Sequence, residues 1–166
     1  MQQQANRAIL SALLLSAFFP IATRALESDR DQDVEYSSDR QTVRVEGNTR
    51  ILTLTDNVYV RQGTIELSGT VASFVYNLDT EDLLRVTVTG SPASYLQQIN
   101  EDGEMARGTS STIHYHTGTE AIVELVGDVR FEQPGLVNHC ARVEYHLESN
   151  DLEGEDCEGV LSRQQN

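Results

Sequence analysis

The chain has 166 residues, with 12 arginines, no lysine and 26 acidic residues, for a net charge of −14. A surface this acidic, with no basic cluster, lacks the positive stripe that phosphate backbones require, which excludes nucleic acid as a partner. It also argues against adhesion to an anionic membrane surface, and its plain reading is solubility.

Arg7 is the only charge before an uncharged run rich in Leu, Ile and Phe from Ala8 to Ala22, and Thr23-Arg24-Ala25 offers a cleavage site before Leu26. Residues 1–25 read as a secretory signal peptide, too short and wrongly flanked for a comfortable membrane span, with an uncleaved anchor as the alternative. The first cysteine is Cys140, so no lipid-attachment cysteine follows the cleavage point. Cleavage would remove Arg7 and Arg24 and leave 10 basic against 26 acidic residues, a charge of −16, on 141 residues. That length suits one domain with a core. We expect residues 26–32 to be a flexible polar segment, 33–163 a single domain and 164–166 a tail.

From Val34 onward, strand-like segments follow almost without interruption: Val34–Ser37, Thr42–Val45, Ile51–Thr55, Val58–Arg61, Ile65–Leu67, Val71–Leu78, Leu84–Thr89, Ala93–Gln98, Thr112–His116, Ile122–Leu125, Val129–Glu132, Val137–Leu147 and Leu152 onward. Turns are expected at Glu46-Gly47-Asn48, Asp79-Thr80-Glu81-Asp82, Gly90-Ser91-Pro92 and Asn100-Glu101-Asp102-Gly103. No 3.6-residue apolar period persists, so the fold class is all-β and antiparallel. A repeat runs through it. Asn57-Val58-Tyr59-Val60-Arg61-Gln62-Gly63 returns 71 positions later as Asp128-Val129-Arg130-Phe131-Glu132-Gln133, closed by Gly135. The strand after each copy also matches (Ala72–Asp79 with Ala141–Glu148), and Thr112–His116 is a fainter third copy. A strand pair cannot bury its apolar face alone, so such units must stack around an inside.

Alternation assigns that inside. Val34 and Tyr36, Val43 and Val45, Leu54, Val58 and Val60, Phe74 and Tyr76, Ile113 and Tyr115, and Val129 and Phe131 fall on one greasy face. Arg44, Arg61, Glu66, Arg130 and Glu132 fall on the wet one. Periodicity alone leaves open a closed β-sandwich whose aliphatic residues pack on one another.

Motifs for known chemistry are missing: no Gly-x-Ser-x-Gly, His-Glu-x-x-His, P-loop or Cys-x-x-Cys occurs, and an enzyme is not expected. His114 and His116 share a strand face, but with Tyr115 inward both point to solvent and no third ligand is fixed, so neither a metal nor a cofactor is expected. The acidic runs Asn100-Glu101-Asp102-Gly103 and Glu153-Gly154-Glu155-Asp156 lack calcium-loop spacing and read as turns. Cys140 and Cys157 in an exported chain are expected to pair, with free thiols as the alternative. A turn at Ser149-Asn150 would make them diagonal neighbours on one face, and the inward parity of Val143, Tyr145 and Leu147 would put that face outside.

Beyond periodicity, the chain resembles a family. Glu35-Tyr36-Ser37-Ser38-Asp39, Gly47-Asn48 and Asp56-Asn57-Val58-Tyr59-Val60-Arg61-Gln62-Gly63-Thr64-Ile65 look like the opening of the OstA (LptA-like) family of periplasmic lipopolysaccharide-export proteins. Gly90-Ser91-Pro92-Ala93-Ser94-Tyr95, Gly108 with Ile113-His114-Tyr115, and Gly127-Asp128-Val129 extend the match over about residues 33–155. The resemblance implies a V-shaped antiparallel β-jellyroll open at both ends, in the periplasm of a Gram-negative bacterium, carrying lipid A acyl chains of lipopolysaccharide in an apolar trough. It carries lipid passage onto Val34, Tyr36, Tyr95 and Tyr115. The inward positions Leu54, Val58, Val60, Phe74, Tyr76, Ile113, Val129 and Phe131 complete the candidate lipid-binding face. Implied partners are an LptC-like inner-membrane protein at the N-terminal edge, an LptD-like outer-membrane translocon at the C-terminal edge, and further copies head to tail. The alternative is a structural β-module that assembles edge to edge without handling lipid. This chain departs from the better-known members in its acidity, its two cysteines and its short tail after Val160, and Arg61, Arg85 and Arg107 are its candidates for headgroup contact.

Overall fold

A computed structural model describes Asp29 and residues 31–162; the expected signal peptide and the tail from residue 164 lie outside the described residues. The chain folds as ten strands: β1 (Val34–Ser37), β2 (Arg40–Glu46), β3 (Thr49–Gln62), β4 (Ile65–Asn77), β5 (Leu83–Gln98), β6 (Met105–Thr117), β7 (Ala121–Gln133), β8 (Leu136–His146), β9 (Leu152–Glu155) and β10 (Glu158–Leu161). Every pairing is antiparallel and links sequence neighbours from β3 to β8. The sheet does not close on itself. Its first edge along β3 is shared by β1 and β2, and its last edge along β8 by β9 and β10.

Several segments expected as separate strands are halves of one long strand. Each long strand is broken near its middle by a register shift: Thr55/Val58 on β3, Ser68/Val71 on β4, Thr89/Ala93 on β5, Thr109/Thr112 on β6 and Val126/Val129 on β7. The breaks line up as a seam across the sheet. Bulges add bend and twist where they insert a residue, and the seam residues suit that role: Asp56, Asn57 and Asp128 hold positive φ of 63°, 51° and 49°, which Asn and Asp tolerate better than most. Gly90-Ser91-Pro92, expected as a turn, is the seam bulge inside β5, with a cis Ser91–Pro92 bond.

The seam explains the repeat. Each copy starts at a left-handed Asn57 or Asp128 on the seam and runs out to a left-handed glycine, Gly63 or Gly135, at a hairpin tip. The matching strand then starts a new outward run at the seam, Ala72 or Ala141. The repeating unit is thus half a strand pair, and two leaves of half-strands fold toward each other about the seam.

Inward parity switches at the seam in four strands, from Leu67 to Ala72, Val88 to Ala93, Ala106 to Ile113 and Cys140 to Val143, all buried. The last switch corrects the expected placement of Cys140. The parity of Val143, Tyr145 and Leu147 does not extend across the break, and Cys140 lies with the core, directly opposite buried Val129. The disulfide with Cys157 is present, with Cα atoms 4.1 Å apart. Its geometry also differs from the diagonal expectation. Arg142 faces Glu155 and His139 faces Glu158, so Cys140 stands straight across from Cys157. The turn therefore lies one residue earlier, closed by His146 and Asn150. Likewise Glu153-Gly154-Glu155 is strand, not turn.

Candidate functional site

The inner faces of the two leaves form the candidate site. From the seam outward, one leaf contributes Leu52, Leu54, Phe74, Val86, Ile113, Tyr115, Val123 and Tyr145, and the other Val58, Val60, Ile65, Leu67, Tyr95, Phe131 and Val129; all are buried. Ring contacts span the gap: Tyr36 to Phe74 at 5.8 Å, Phe131 to Tyr145 at 5.1 Å and Tyr95 to Tyr145 at 6.3 Å. Gly108 lets the leaves close, because a Cβ there would sit 2.4 Å from the side chain of Leu125. The Tyr115 hydroxyl donates to Gln62 Oε1 across the margin at 3.2 Å.

Of the sequence-predicted inner residues, Leu54, Val58, Val60, Phe74, Tyr95, Ile113, Tyr115, Val129 and Phe131 are buried together, whereas Val34 and Tyr76 are partly buried against that cluster. Tyr36 is 44% exposed at the rim. Val43 and Val45 take the same strand face as their partners Leu52 and Arg50, yet are 59% and 62% exposed. The apolar face thus continues out of the core onto the first edge. At the last edge Val160 and Leu161 are 63% and 82% exposed. Away from the seam, where the leaves part, Val34, Gln62, Leu83, Leu84, Tyr115 and Thr117 line a cleft of about 400 Å³. Behind it lies a smaller apolar void bordered by Val60, Ile65, Leu67 and Val86.

Polar groups inside are few and satisfied. No buried side-chain nitrogen or oxygen among the described residues lacks a hydrogen bond. Burial raises Tyr145 to about 12 and lifts Tyr95 well above the ordinary phenol value, so both rings stay neutral and donate, Tyr145 to Asn150 Oδ1 and Tyr95 to Gln97 Oε1. Gln97, fully buried, carries the inner parity of Ala93 and Tyr95 to the leaf margin, and that parity could have revealed it. Asp29, from the segment expected to be flexible, is also buried there, and nothing in its local sequence announces it.

The outer face is charged. Arg142 reaches Glu124, Glu144 and Glu155, and its hydrogen bond to Glu124 holds the guanidinium protonated. His114 and His116 lie outward as expected, 6.2 Å apart, with His114 Nδ1 on the Thr87 hydroxyl and His116 beside Glu124. Among the described residues no group of three metal-ligating side chains converges. Of the three arginines considered for headgroups, Arg61 donates to the Gly63 carbonyl at the tip of the β3–β4 hairpin. Arg85 and Arg107 stand opposite His116 and Glu132 on outward positions.

Known proteins share this architecture. The structure of LptH from Pseudomonas aeruginosa, described as the LptA-homologous periplasmic component of the lipopolysaccharide transport device, superposes with a TM-score of 0.74 at 19% identity, over 82% of this chain and 99% of that one. The lipopolysaccharide export system protein LptA of Escherichia coli K12 is 29% identical over 125 residues. That match takes in 75% of this chain and spans 64% of the relative's length. LptA of Haemophilus influenzae is 28% identical over 97 residues, 58% of this chain and 55% of the relative. The family model described as LptA/(LptD N-terminal domain) LPS transport protein matches residues 35–151, from β1 to the turn before β9, and the chain belongs to that family.

Proposed function

We propose that this chain is a periplasmic carrier of lipopolysaccharide that takes lipid A acyl chains between its two leaves and bridges the inner and outer membranes. The observation that carries the reading is the continuity of the apolar inner face with both edges, through Tyr36, Val43 and Val45 at one and Leu161, opposite Leu136, at the other. A closed sandwich would have no reason to leave four inner-face apolar side chains in water at its two ends. Acyl-chain burial is worth ~0.8 kcal/mol per methylene, so a twelve-carbon chain gains roughly 9 kcal/mol. Repulsion between a headgroup phosphate and a surface carboxylate across water is about 1 kcal/mol per close pair and is screened beyond roughly 8 Å. Chain burial outweighs it while phosphates stay at the margin. The leaves touch along their depth, so loading would part them from the margin cleft while the seam keeps the strand register. A photo-crosslinker at Tyr36 or Tyr115 is expected to capture lipopolysaccharide in cells, whereas one at outward Tyr59 is not. Equal capture at all three positions would remove the trough, and no capture at any would favour an edge-assembling β-module that handles no lipid.

The same reading supplies partners: an LptC-like inner-membrane protein at β1–β2, an LptD-like translocon at β9–β10, and copies of the chain head to tail between them. Edge strands present unpaired backbone groups, and acidic flanks here restrain random pairing while allowing a partner with the right register. Pairing one edge with the other propagates into open filaments. Tyr36→Pro removes a backbone donor from the first edge strand and is expected to abolish pull-down of the inner-membrane partner while the circular dichroism stays that of a folded β protein. Undiminished pull-down would put the interface elsewhere.

A further inference from the structure

Where β3 turns into β4, three donors converge on one carboxylate. Asp29 Oδ1 accepts from the Thr64 backbone N–H at 2.9 Å; Asp29 Oδ2 accepts from the Thr64 hydroxyl at 2.6 Å and from Gln97 Nε2 at 3.4 Å. Asp29 is 3% exposed and Gln97 is fully buried, with its other amide atom fixed by the Tyr95 hydroxyl at 2.5 Å. The orientation of Gln97 is therefore set: its oxygen is taken by Tyr95, so its NH₂ group faces Asp29. The backbone has made room for this contact. A Cβ at Gly63 would meet Asp29 Oδ1 at 2.2 Å and its Cα at 2.8 Å, so the turn passes under the carboxylate only because residue 63 has no side chain. Arg61, donating to the Gly63 carbonyl at 3.0 Å, places a cation beside the same turn.

This cluster is built like an oxyanion site, a backbone N–H, a hydroxyl and a side-chain amide aimed at one point, with a cation nearby. It lies at the margin of the apolar interior: Gln97 follows Tyr95 on the inner face, and neighbouring Gln62 lines the margin cleft. An amphiphile with its chains between the leaves would bring its anionic group to this height. Resting on the reading of the interior as an acyl-chain trough, we propose that Thr64 and Gln97 form a binding site for a phosphate-type oxyanion, and that the chain's own Asp29 occupies it as a tethered competitor. Exchange of one anion for another would leave the donors satisfied, whereas withdrawal of Asp29 without replacement would strand a buried amide and a backbone N–H. The exchange also answers how a chain with a charge of −14 could accept a phosphorylated ligand: at this point one negative charge leaves as another enters.

The test uses the full mature chain and two probes. In Asp29→Ala, the Thr64 amide resonance is expected to shift on titration with inorganic phosphate, with an apparent affinity at least ten-fold above that of the unaltered protein, and adding Thr64→Val is expected to abolish the gain. Asp29→Asn, which keeps the shape and one acceptor, is expected to fall between and serves if the alanine variant is poorly folded. A Thr64 amide that ignores phosphate in both Asp29 variants, or responds equally in the unaltered protein, overturns the site. The second probe is an acylated disaccharide with and without its phosphates. A five-fold or larger gain for the phosphorylated form alone in Asp29→Ala identifies a lipid headgroup as the ligand, and a phosphate response without that gain identifies free phosphate. If neither lipid binds any variant while Thr64 still answers to phosphate, the trough reading fails and the site stands. If both lipids bind alike in every variant and phosphate has no effect, the site fails and the trough stands.

Discussion

Phe131→Asp is expected to leave no folded protein, Tyr36→Asp to leave folded protein that no longer captures lipid, and Arg130→Asp to change neither. Phe131 is fully buried, 5.1 Å from Tyr145 and 6.5 Å from Tyr95 by ring centroid. Truncating such a ring costs ~3–5 kcal/mol, and an unpaired carboxylate in its place adds several more, which together match the ~5–15 kcal/mol that hold a domain folded. Tyr36 faces the same interior but is 44% exposed, so a charge there stays hydrated in the empty protein and would meet acyl chain only on the loading proposed above. Arg130 points outward, paired with Glu132 and touching His139, and such exposed pairs contribute about 0–1 kcal/mol. Tyr115→Asp falls between, because its ring is buried yet borders the margin cleft. Denaturant titration separates folding from binding for each variant. Should Tyr36→Asp and Arg130→Asp, both folded, bind lipid equally, the inner face is not the lipid's path.

The same residues show what a sequence can carry. Alternation within a strand is a local property, so pairs such as Val58 and Val60 or Val129 and Phe131 were legible as one face from the residues alone. The relation between two halves of a strand is not local. Between Val88 and Ala93 the inward parity flips because Gly90-Ser91-Pro92 bulges within β5, and a bulge and a turn use the same residue types. Reading that segment as a turn gave the right residues on the right face and the wrong connectivity. The same flip between Cys140 and Val143 turned the disulfide from the outer to the inner side.

Within the site, burial by neighbours and burial by ligand look identical in sequence. Tyr36, Val43 and Phe74 all read as inner-face residues; only the ending of the sheet at β1 and β2 leaves the first two at the rim. Polar members were the hardest to see. Gln97 keeps the inner parity of Tyr95, but a glutamine on an apolar face invites dismissal, and Asp29 sits in a run of charged residues with no period at all. Its role comes from a contact with Thr64, 35 residues away, that no local pattern encodes.

Removing the disulfide, by Cys140→Ser with Cys157→Ser or by reduction, is expected to destabilise the domain by about 3 kcal/mol and lower its Tm by roughly 10 °C without changing the fold. The bond closes a loop 17 residues apart in sequence, and its stabilisation in the chain-entropy model comes from restricting the unfolded chain. Its position adds a local effect. β9 pairs with one leaf and β10 with the other, and Cys157 lies between them, straight across from Cys140 where β8 crosses the seam. At the opposite edge that crossing is held without a covalent link, by the Asp39 N–H donating to the Asp56 carbonyl at 3.0 Å and by side-chain contacts from Asn57 to Asp39 at 2.7 Å and from Arg40 to Asp56 at 2.6 Å. Without the disulfide, β10 keeps its four pairings to β8 but loses its covalent anchor, so its amides should exchange with solvent faster than those of β9. Because β10 carries the exposed Val160 and Leu161, the docking proposed at that edge should weaken more than the docking proposed at β1. Two free thiols in the denatured, non-reduced protein would show that the bond does not form, and an unchanged Tm in the double serine variant would show that it contributes nothing. Equal loss of docking at both edges would mean that the bond acts on the whole domain and not on its last strand.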